Sequence, residues 1–197
     1  MKPIHLISLL SGNGEPGLGR LEHLAASLAR TFQAPCSIRP ETLDVSFAFD
    51  ERRGQHFSTA ILQRLERLSD CDARVLGVTT ADLFVPVLTF VFGEAQLDGG
   101  CSVVSTARLA EEFYGLPSRE DLLRERLFKE AVHELGHTFG LRHCRDWNCV
   151  MTSSHGVEKL DIKSADFCPS CRKQIPAPER ASNGRTFNMP FGILRTR

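Results

Sequence analysis

The chain has 197 residues, and its 24 lysine and arginine residues balance 24 aspartate and glutamate residues. A chain of this length forms one domain that buries a hydrophobic core without needing a disulfide scaffold. Hydrophobic residues make up 42% of the sequence and charged residues 24%, which excludes a wholly disordered chain and a fibrous one. The balanced charge provides no overall field that would attract nucleic acid or acidic lipid.

Targeting signals and cysteine usage restrict the class of protein further. No apolar run approaches the roughly 18 residues that a membrane span needs, and residues 1–10 are not followed by the cleavage site of a signal peptide. The seven cysteines are an odd number, and four of them lie between positions 144 and 171, which favours metal binding over disulfides. We therefore expect a cytoplasmic monomer without a membrane partner.

The N-terminal part of the chain alternates between strand and helix patterns, because its apolar residues recur at one spacing and then at the other. In chain order the patterns predict a buried strand over 3–10, a helix over 21–32, a weak strand over 36–47 that contains Pro40, a second helix over 57–68 and a strand over 75–79.

Two strand-like runs come next, over 87–92 and 101–106, and the turn-rich residues 97–100 separate them. Pro86 and Gly93 flank the first run and suit an edge strand, which is expected to be antiparallel because the turn at Gly99-Gly100 makes a hairpin-like return. Together with the preceding elements, this pattern predicts an α+β fold in which helices pack on a mixed sheet.

A long helix follows the strands. Ser118 is its predicted N-cap, and Gly140 is predicted to end it. Beyond residue 142 the regular pattern stops, and cysteines, prolines and turn residues dominate. We expect one domain over 1–197, with a small C-terminal subdomain over 142–197 that follows an N-terminal subdomain over 1–141.

The long helix contains the segment His133-Glu134-Leu135-Gly136-His137. Residues four apart lie on one face of a helix, so both imidazoles can bind the same metal ion. A glycine at 140 allows the chain to turn back, and His143 can then supply a third imidazole. Three neutral imidazoles and one open position are typical of a catalytic zinc site. Glu134 then serves as the general base toward a water that the metal activates.

Four cysteines follow directly: Cys144, Cys149, Cys168 and Cys171. Two short-spaced pairs can supply four thiolates to one tetrahedral structural zinc, so we expect two zinc ions per chain. The alternatives are reduced buried cysteines, a redox-active Cys168–Cys171 pair, or His155 in place of one cysteine.

The motif HExxHxxGxxH over 133–143, followed by a methionine at position 151, resembles the metzincin metallopeptidases. Three further features resemble the archaemetzincin branch. His143 is joined directly to Cys144, Cys149 lies two positions before Met151, and a CxxC pair follows farther along the chain. This resemblance implies a zinc-dependent peptidase with a metzincin-like, twisted mixed sheet and a zinc-stabilised C-terminal lobe. It also implies that Met151 lies in a turn beneath the catalytic metal.

The resemblance further implies that an extended peptide or protein substrate pairs with an edge strand above the active site, which is expected over 89–95. The substrate-binding residues would be Phe92, Gly93, Glu94 and Ala95. Some metzincins carry a tyrosine just after the methionine that assists the oxyanion. The sole tyrosine here is Tyr114, so oxyanion assistance comes from elsewhere or activity is modest.

Two other functions compete with peptidase activity. A zinc-stabilised binding or adaptor protein would keep the metal site with little or no turnover, but such a protein has no evident need for Glu134 beside the first histidine. The basic segment 172–197 could contact nucleic acid after a zinc knuckle. Its aromatic residues are only Phe187 and Phe191, which provide no stacking platform, so we expect no nucleic-acid partner.

Overall fold

The computed structural model describes residues 1–12, 14–68 and 72–176. The basic residues 177–197, which include most of the segment considered for nucleic-acid contact, lie outside the described residues. Across the part of the chain that the structure describes, no helix is long and apolar enough to cross a membrane.

The described residues form strands and helices that follow the predicted alternation. The strands are β1 (Ile4–Leu10), β2 (Cys36–Asp44), β3 (Phe49–Asp50), β4 (Gln55–Phe57), β5 (Arg74–Thr79), β6 (Leu83–Phe84), β7 (Gly93–Ala95) and β8 (Cys101–Ser105). The helices are α1 (Leu18–Phe32), α2 (Ser58–Leu68), α3 (Glu120–Thr138), α4 (Val157–Ile162) and α5 (Pro169–Arg172).

The main sheet has the strand order β2-β1-β5-β8-β7. The first four strands are parallel, and β7 pairs antiparallel with β8 at the edge, where Gly93 lies opposite Val104. A small second sheet has the order β3-β4-β6. The predicted α+β class, mixed sheet and antiparallel edge strand are therefore confirmed.

The strand predicted over 87–92 is wrong. This segment is a loop apart from an isolated antiparallel bridge between Val91 and Leu83. Its Leu88 and Thr89 carbonyls accept hydrogen bonds from the side chains of Arg53 and Gln55 at 2.7 and 3.1 Å. Because distant side chains satisfy these carbonyls, the segment has no need of a strand partner there.

The edge strand is consequently shorter than the predicted span of 89–95, since only β7 pairs with β8. The N-cap prediction is also wrong: Arg119 precedes α3 without a side-chain cap, and the Ser118 hydroxyl interacts with Glu112 instead. Gly140 has φ 84°, the left-handed conformation expected at the end of this helix.

Two apolar clusters lie on opposite faces of the main sheet. Helices α1 and α3 pack on one face, and α2 covers the other. Residues from the C-terminal segment, including Met151, Leu160 and Cys171, belong to the same cluster as α1 and α3. The long helix is therefore held between the sheet and the C-terminal segment, which positions the histidine motif that α3 carries.

Candidate active site

The histidines of the motif converge on one point. His133 and His137 lie one turn apart on α3, and their Nε2 atoms are 3.1 Å apart. The ring of His143 lies 5.3 Å from that of His133 and 5.1 Å from that of His137, measured between centroids. One nitrogen from each residue lies within 4.8 Å of the others. This donor set fits a zinc ion with an open position.

Backbone carbonyls orient two of these imidazoles. Nδ1 of His133 donates to the Val150 carbonyl at 2.8 Å, and Nδ1 of His137 donates to the Leu141 carbonyl at 2.7 Å. A carbonyl can only accept, so these contacts assign the proton to Nδ1 and leave Nε2 free to bind a metal.

The environment keeps the imidazoles neutral. Burial lowers the pKa of His133 well below its usual value, and the positive charge of Lys163 adds to this effect. Burial also lowers the pKa of His137 and of His143. Neutral imidazole is the form that binds metal, so no proton has to be displaced from the rings near pH 7.

Glu134 lies beside the convergence point but is not one of its nitrogen donors. Its side chain is buried, and this burial raises the pKa of the carboxyl well above its usual value. The negative charge of Glu130 adds to the increase, and Lys163 opposes it. A carboxyl with a raised pKa is suited to take up and release a proton during catalysis.

The edge strand passes directly against this carboxylate. A Cβ atom at Gly93 would lie 2.7 Å from Cγ of Glu134 and 2.6 Å from the Val103 carbonyl oxygen. Only glycine lets β7 pass between the sheet and Glu134 at this distance.

Met151 lies on the inner side of the helix that carries the histidines. It is fully buried, and a Cβ at Gly136 would lie only 2.5 Å from its sulfur. The Met151 carbonyl also accepts a hydrogen bond from the backbone N–H of Cys144 at 3.0 Å. The methionine therefore packs against Gly136 of the helix that carries the histidines, and its turn adjoins the first cysteine.

The four predicted cysteines also come together. One sulfur from each lies within 4.8 Å of the others, and the sulfurs of Cys144 and Cys168 are 3.8 Å apart. All four are free thiols. A hydrogen bond from the Cys171 backbone N–H, with smaller contributions from the neighbouring cysteines, lowers the pKa of Cys168 to about 7. Burial raises the pKa values of Cys149 and Cys171. Four sulfurs at this spacing fit one tetrahedral zinc.

The sequence leaves His155 as an alternative ligand to one of the cysteines. It is exposed and lines the cavity beside His143, and its charge lowers the pKa of that histidine. The structure thus places His155 near the histidine site rather than among the four sulfurs.

Two cavities open on either side of Glu134. The larger, of about 550 Å³, lies between the loop from Leu88 to Gly93 and the segment 153–155. The smaller, of about 400 Å³, is lined by β7, Leu97 and Arg142. His133, Glu134 and His143 line both cavities.

The residues predicted to bind substrate occupy different parts of this cleft. Phe92 is buried in the wall of the larger cavity, Gly93 lines both cavities, and Ala95 lines the smaller one. The carboxylate of Glu94 accepts hydrogen bonds from the hydroxyls of Ser58 and Thr59 at the start of α2. The Glu94 side chain is therefore held by α2, although it also lines the smaller cavity.

A buried ion pair that the sequence did not indicate lies below the site. Nζ of Lys163 lies 3.1 Å from a carboxylate oxygen of Glu130, and the two side chains are 1% and 6% exposed. Lys163 also donates to the Thr152 carbonyl at 3.1 Å. Glu130 precedes Glu134 by one helical turn, but nothing in the local sequence indicates that Lys163 is its partner.

Known proteins resemble this chain over most of its length. The pattern of peptidase family M54 matches residues 29–177, which is more than half of the chain. The archaemetzincin of Methanocaldococcus jannaschii is 44% identical over 140 residues, covering 71% of this chain and 76% of the relative. The crystal structure of Archaeoglobus fulgidus archaemetzincin complexed with malonate has a TM-score of 0.74 and 38% identity, covering 88% of this chain and 99% of that one. A zinc-dependent peptidase structure from Methanocorpusculum labreanum has a TM-score of 0.78 and 29% identity, covering 88% and 100%. This chain therefore belongs to peptidase family M54, the zinc metallopeptidase family of the archaemetzincins.

Proposed function

We propose that the protein hydrolyses peptide bonds of peptides or proteins at a zinc ion held by His133, His137 and His143, with Glu134 as general base. The observation that carries this proposal is the position of Glu134, a buried carboxyl beside three converging imidazoles in an open cleft. A bound zinc supplies a Lewis acid that polarises the substrate carbonyl and makes water more acidic.

The residues of the chain divide the remaining work. Glu134 takes the proton of the attacking water and passes it to the leaving amine, a role for which its raised pKa is suited. The Val150 and Leu141 carbonyls hold the imidazoles of His133 and His137 in the orientation for metal binding. Strand β7 lies at the sheet edge, where an extended substrate can pair with its backbone.

We also propose that the four cysteines hold a second, structural zinc, giving two ions per chain. Their free sulfurs lie close together and fill a tetrahedral shell, which leaves no position for substrate. On this proposal the domain has an N-terminal subdomain over 1–141 that carries α3 and a C-terminal subdomain over 142–197 that carries Met151 and the cysteines. Met151 then supports the imidazoles from below without binding the ion.

The test of the catalytic assignment compares zinc-loaded wild type with Glu134→Gln in a proteomic screen for newly formed peptide termini. We expect Glu134→Gln to keep its zinc, because the carboxyl is not one of the three nitrogen donors. Its rate should fall by about 10²–10⁴-fold, the usual contribution of a positioned general base. His137→Ala should lose both the metal and the activity.

Glu22→Gln is the matched control, because Glu22 is an exposed carboxylate on α1. Its rate should equal that of the wild type. Wild-type turnover by Glu134→Gln would contradict the assignment. Binding of peptides without cleavage by a zinc-loaded wild type would favour an adaptor function instead.

A further inference from the structure

One wall of the smaller cavity beside the histidine site carries an arginine side chain. In the sequence, Arg142 lies between Leu141, which is buried, and His143, which is exposed. The exposed side chain of Arg142 lines this cavity together with Ala95 and Leu97. Within the described part of the chain, the Arg142 side chain has neither a hydrogen bond nor an ion pair. A guanidinium with five N–H donors is thus presented to the cavity without a partner of its own.

Other ionisable groups of the same wall are already engaged. The carboxylate of Glu94 accepts hydrogen bonds from Ser58 and Thr59, with Oε1 lying 2.8 Å from the Thr59 hydroxyl. Glu134 is buried beside the histidines. Neither group lies in an ion pair with Arg142. Glu94 keeps its negative charge, but the Ser58 and Thr59 hydroxyls occupy its acceptor oxygens. The charged group whose hydrogen-bonding atoms are still available to a ligand in this cavity is therefore the Arg142 guanidinium.

The position of Arg142 relative to β7 determines which part of a substrate it can reach. A peptide paired with β7 extends from the histidine site along Ala95 toward Leu97, so it passes the Arg142 side of the cleft. If the peptide runs antiparallel to β7, the residues on this side are N-terminal to the scissile bond. If it runs parallel, they are C-terminal, and a free chain end can lie there.

We propose that Arg142 selects substrates that carry a carboxylate on the side of the scissile bond that lies along Ala95 and Leu97. The inference rests on the proposed peptidase function and names a substrate class for it. Guanidinium and carboxylate form paired, charge-assisted hydrogen bonds, which makes arginine suited to this recognition. The carboxylate can belong to an aspartate or glutamate side chain or to a C-terminus.

The test uses short peptide hydroxamates that bind the zinc-loaded protein without being cleaved. Four versions differ in one feature: glutamine with an amidated C-terminus as the reference, glutamate with an amidated C-terminus, glutamine with a free C-terminus, and lysine with an amidated C-terminus. All four versions are made with the hydroxamate at the N-terminal end of the peptide, which leaves the C-terminus available. The three side-chain versions are also made with the hydroxamate at the C-terminal end, where it takes the place of the terminal carboxyl. Calorimetry gives the affinity of each version relative to the reference. The side of the hydroxamate on which a carboxylate is preferred reports whether the bound peptide runs parallel or antiparallel to β7.

We expect the wild type to bind one carboxylate version about 1.5-fold to fivefold more tightly than the reference, which is the range for an exposed ion pair. This ratio should fall to about one in Arg142→Ala and should favour lysine in Arg142→Glu. It should also decrease as salt is raised, because exposed charges are screened.

Arg145→Ala is the matched control. Arg145 is also exposed and also lacks a hydrogen bond or ion pair within the described residues, but it does not line the cavity. The control should keep the wild-type ratio, and zinc content is measured in every variant. Equal ratios in the wild type and Arg142→Ala would overturn the proposal.

The two proposals fail in different ways. Because hydroxamates bind without being hydrolysed, the affinity ratio can be measured even if no peptide is ever cleaved. If cleavage depends on Glu134 but the hydroxamate affinity ratios are the same in the wild type and Arg142→Ala, the inference about Arg142 is wrong and the peptidase proposal stands. Charge preference through Arg142 without any cleavage leaves Arg142 as a recognition residue and overturns the peptidase proposal.

Discussion

Glu134 couples the active site to the pH dependence of folding. Its pKa is raised well above the usual value, chiefly by burial. The folded protein therefore holds a proton that the unfolded chain releases near pH 4.3. The stability that Glu134 contributes is fully present below that pH and is lost as the pH rises toward the folded pKa. This loss is absent once the carboxyl is replaced by a neutral amide.

We therefore expect metal-free Glu134→Gln to gain stability relative to metal-free wild type as the pH rises from 5 to 7. The gain should be at most about 1.4 kcal/mol per pH unit, and urea unfolding at several pH values measures it. Glu22→Gln serves as the control for loss of one exposed carboxylate. A stability difference between Glu134→Gln and wild type that is constant with pH would contradict the expectation.

Gly93 is the residue that lets the edge strand approach the Glu134 carboxyl. In Gly93→Ala the new Cβ would meet the Val103 carbonyl and the Glu134 side chain at less than 3.0 Å. We expect β7 to shift, the free energy of unfolding to fall by about 1–3 kcal/mol, and peptidase activity to fall with it. Gly19→Ala is the control, because Gly19 lies on α1 with open space around its Cβ position. Calorimetric melts and zinc content check the prediction; an unchanged melt for Gly93→Ala would refute it.

At the scale of elements, one buried lysine joins three parts of the structure. Lys163 follows α4, pairs with Glu130 on α3, and donates to the Thr152 carbonyl just after Met151. Because this ion pair is almost fully shielded from water, removing one partner leaves an uncompensated charge in the interior. The contact thus links α4, the methionine turn and the helix that carries the histidines.

We expect Lys163→Met to lower the free energy of unfolding by about 3–5 kcal/mol, the usual cost of breaking a buried ion pair. The double variant Lys163→Met/Glu130→Gln should be more stable than Lys163→Met alone, since it leaves no unpaired charge. Lys159→Met on the exposed side of α4 should change stability by less than about 0.5 kcal/mol. Urea unfolding compares the variants. A double variant no more stable than Lys163→Met would contradict the buried-charge explanation.

At the scale of the whole molecule, the C-terminal segment is part of the main core. The ring of Phe32 on α1 stacks on Phe139 and meets Phe167 edge to face, with centroid distances of 5.5 and 5.8 Å. The Arg172 side chain donates to the Thr31 carbonyl at 3.0 Å. Apolar packing therefore contributes to the order of this segment, although its sequence shows few apolar residues. The structural zinc that we propose at the four cysteines would add to that packing rather than replace it.

We expect two zinc ions of different lability. Mild chelation with EDTA should remove the ion of the open three-histidine site, whereas the four-cysteine site resists. Trp147, the sole tryptophan, is 69% exposed and lies between Cys144 and Cys149. Its fluorescence should change only when the second ion is removed. Elemental analysis that finds one zinc per chain would contradict this prediction, as would a Cys168–Cys171 disulfide in freshly purified protein.

The cysteine variants test the same site by stability. Cys171→Ser should retain about one zinc per chain, lower the melting temperature, and make the C-terminal segment more sensitive to proteases. Cys36→Ser is the control: burial raises the pKa of Cys36 to about 12, so it stays a thiol, and it lies on β2 away from the cluster. This control should retain both ions. An unchanged melting temperature for Cys171→Ser with verified metal loss would contradict a structural role.

The sequence by itself was sufficient for the features that depend on short spacing. Residues four apart on a helix share a face whatever surrounds them, so His133 and His137 could be paired without a structure. Gly140 marked the helix end because the left-handed conformation favours glycine, and its φ of 84° confirms this. The alternation of strand and helix patterns was likewise local, and it predicted the mixed sheet with one antiparallel edge.

Only the tertiary structure decided the features that depend on distant partners. The segment 87–92 has a strand-like composition, but Arg53 and Gln55, more than thirty positions earlier, satisfy its carbonyls and keep it a loop. Lys163 is paired with Glu130, 33 positions away, and no local pattern encodes that contact. Arg142 became notable only once folding placed it beside β7. Local spacing determines which side chains share a helix face, whereas packing of remote segments determines which charges are buried, paired or left facing the cleft.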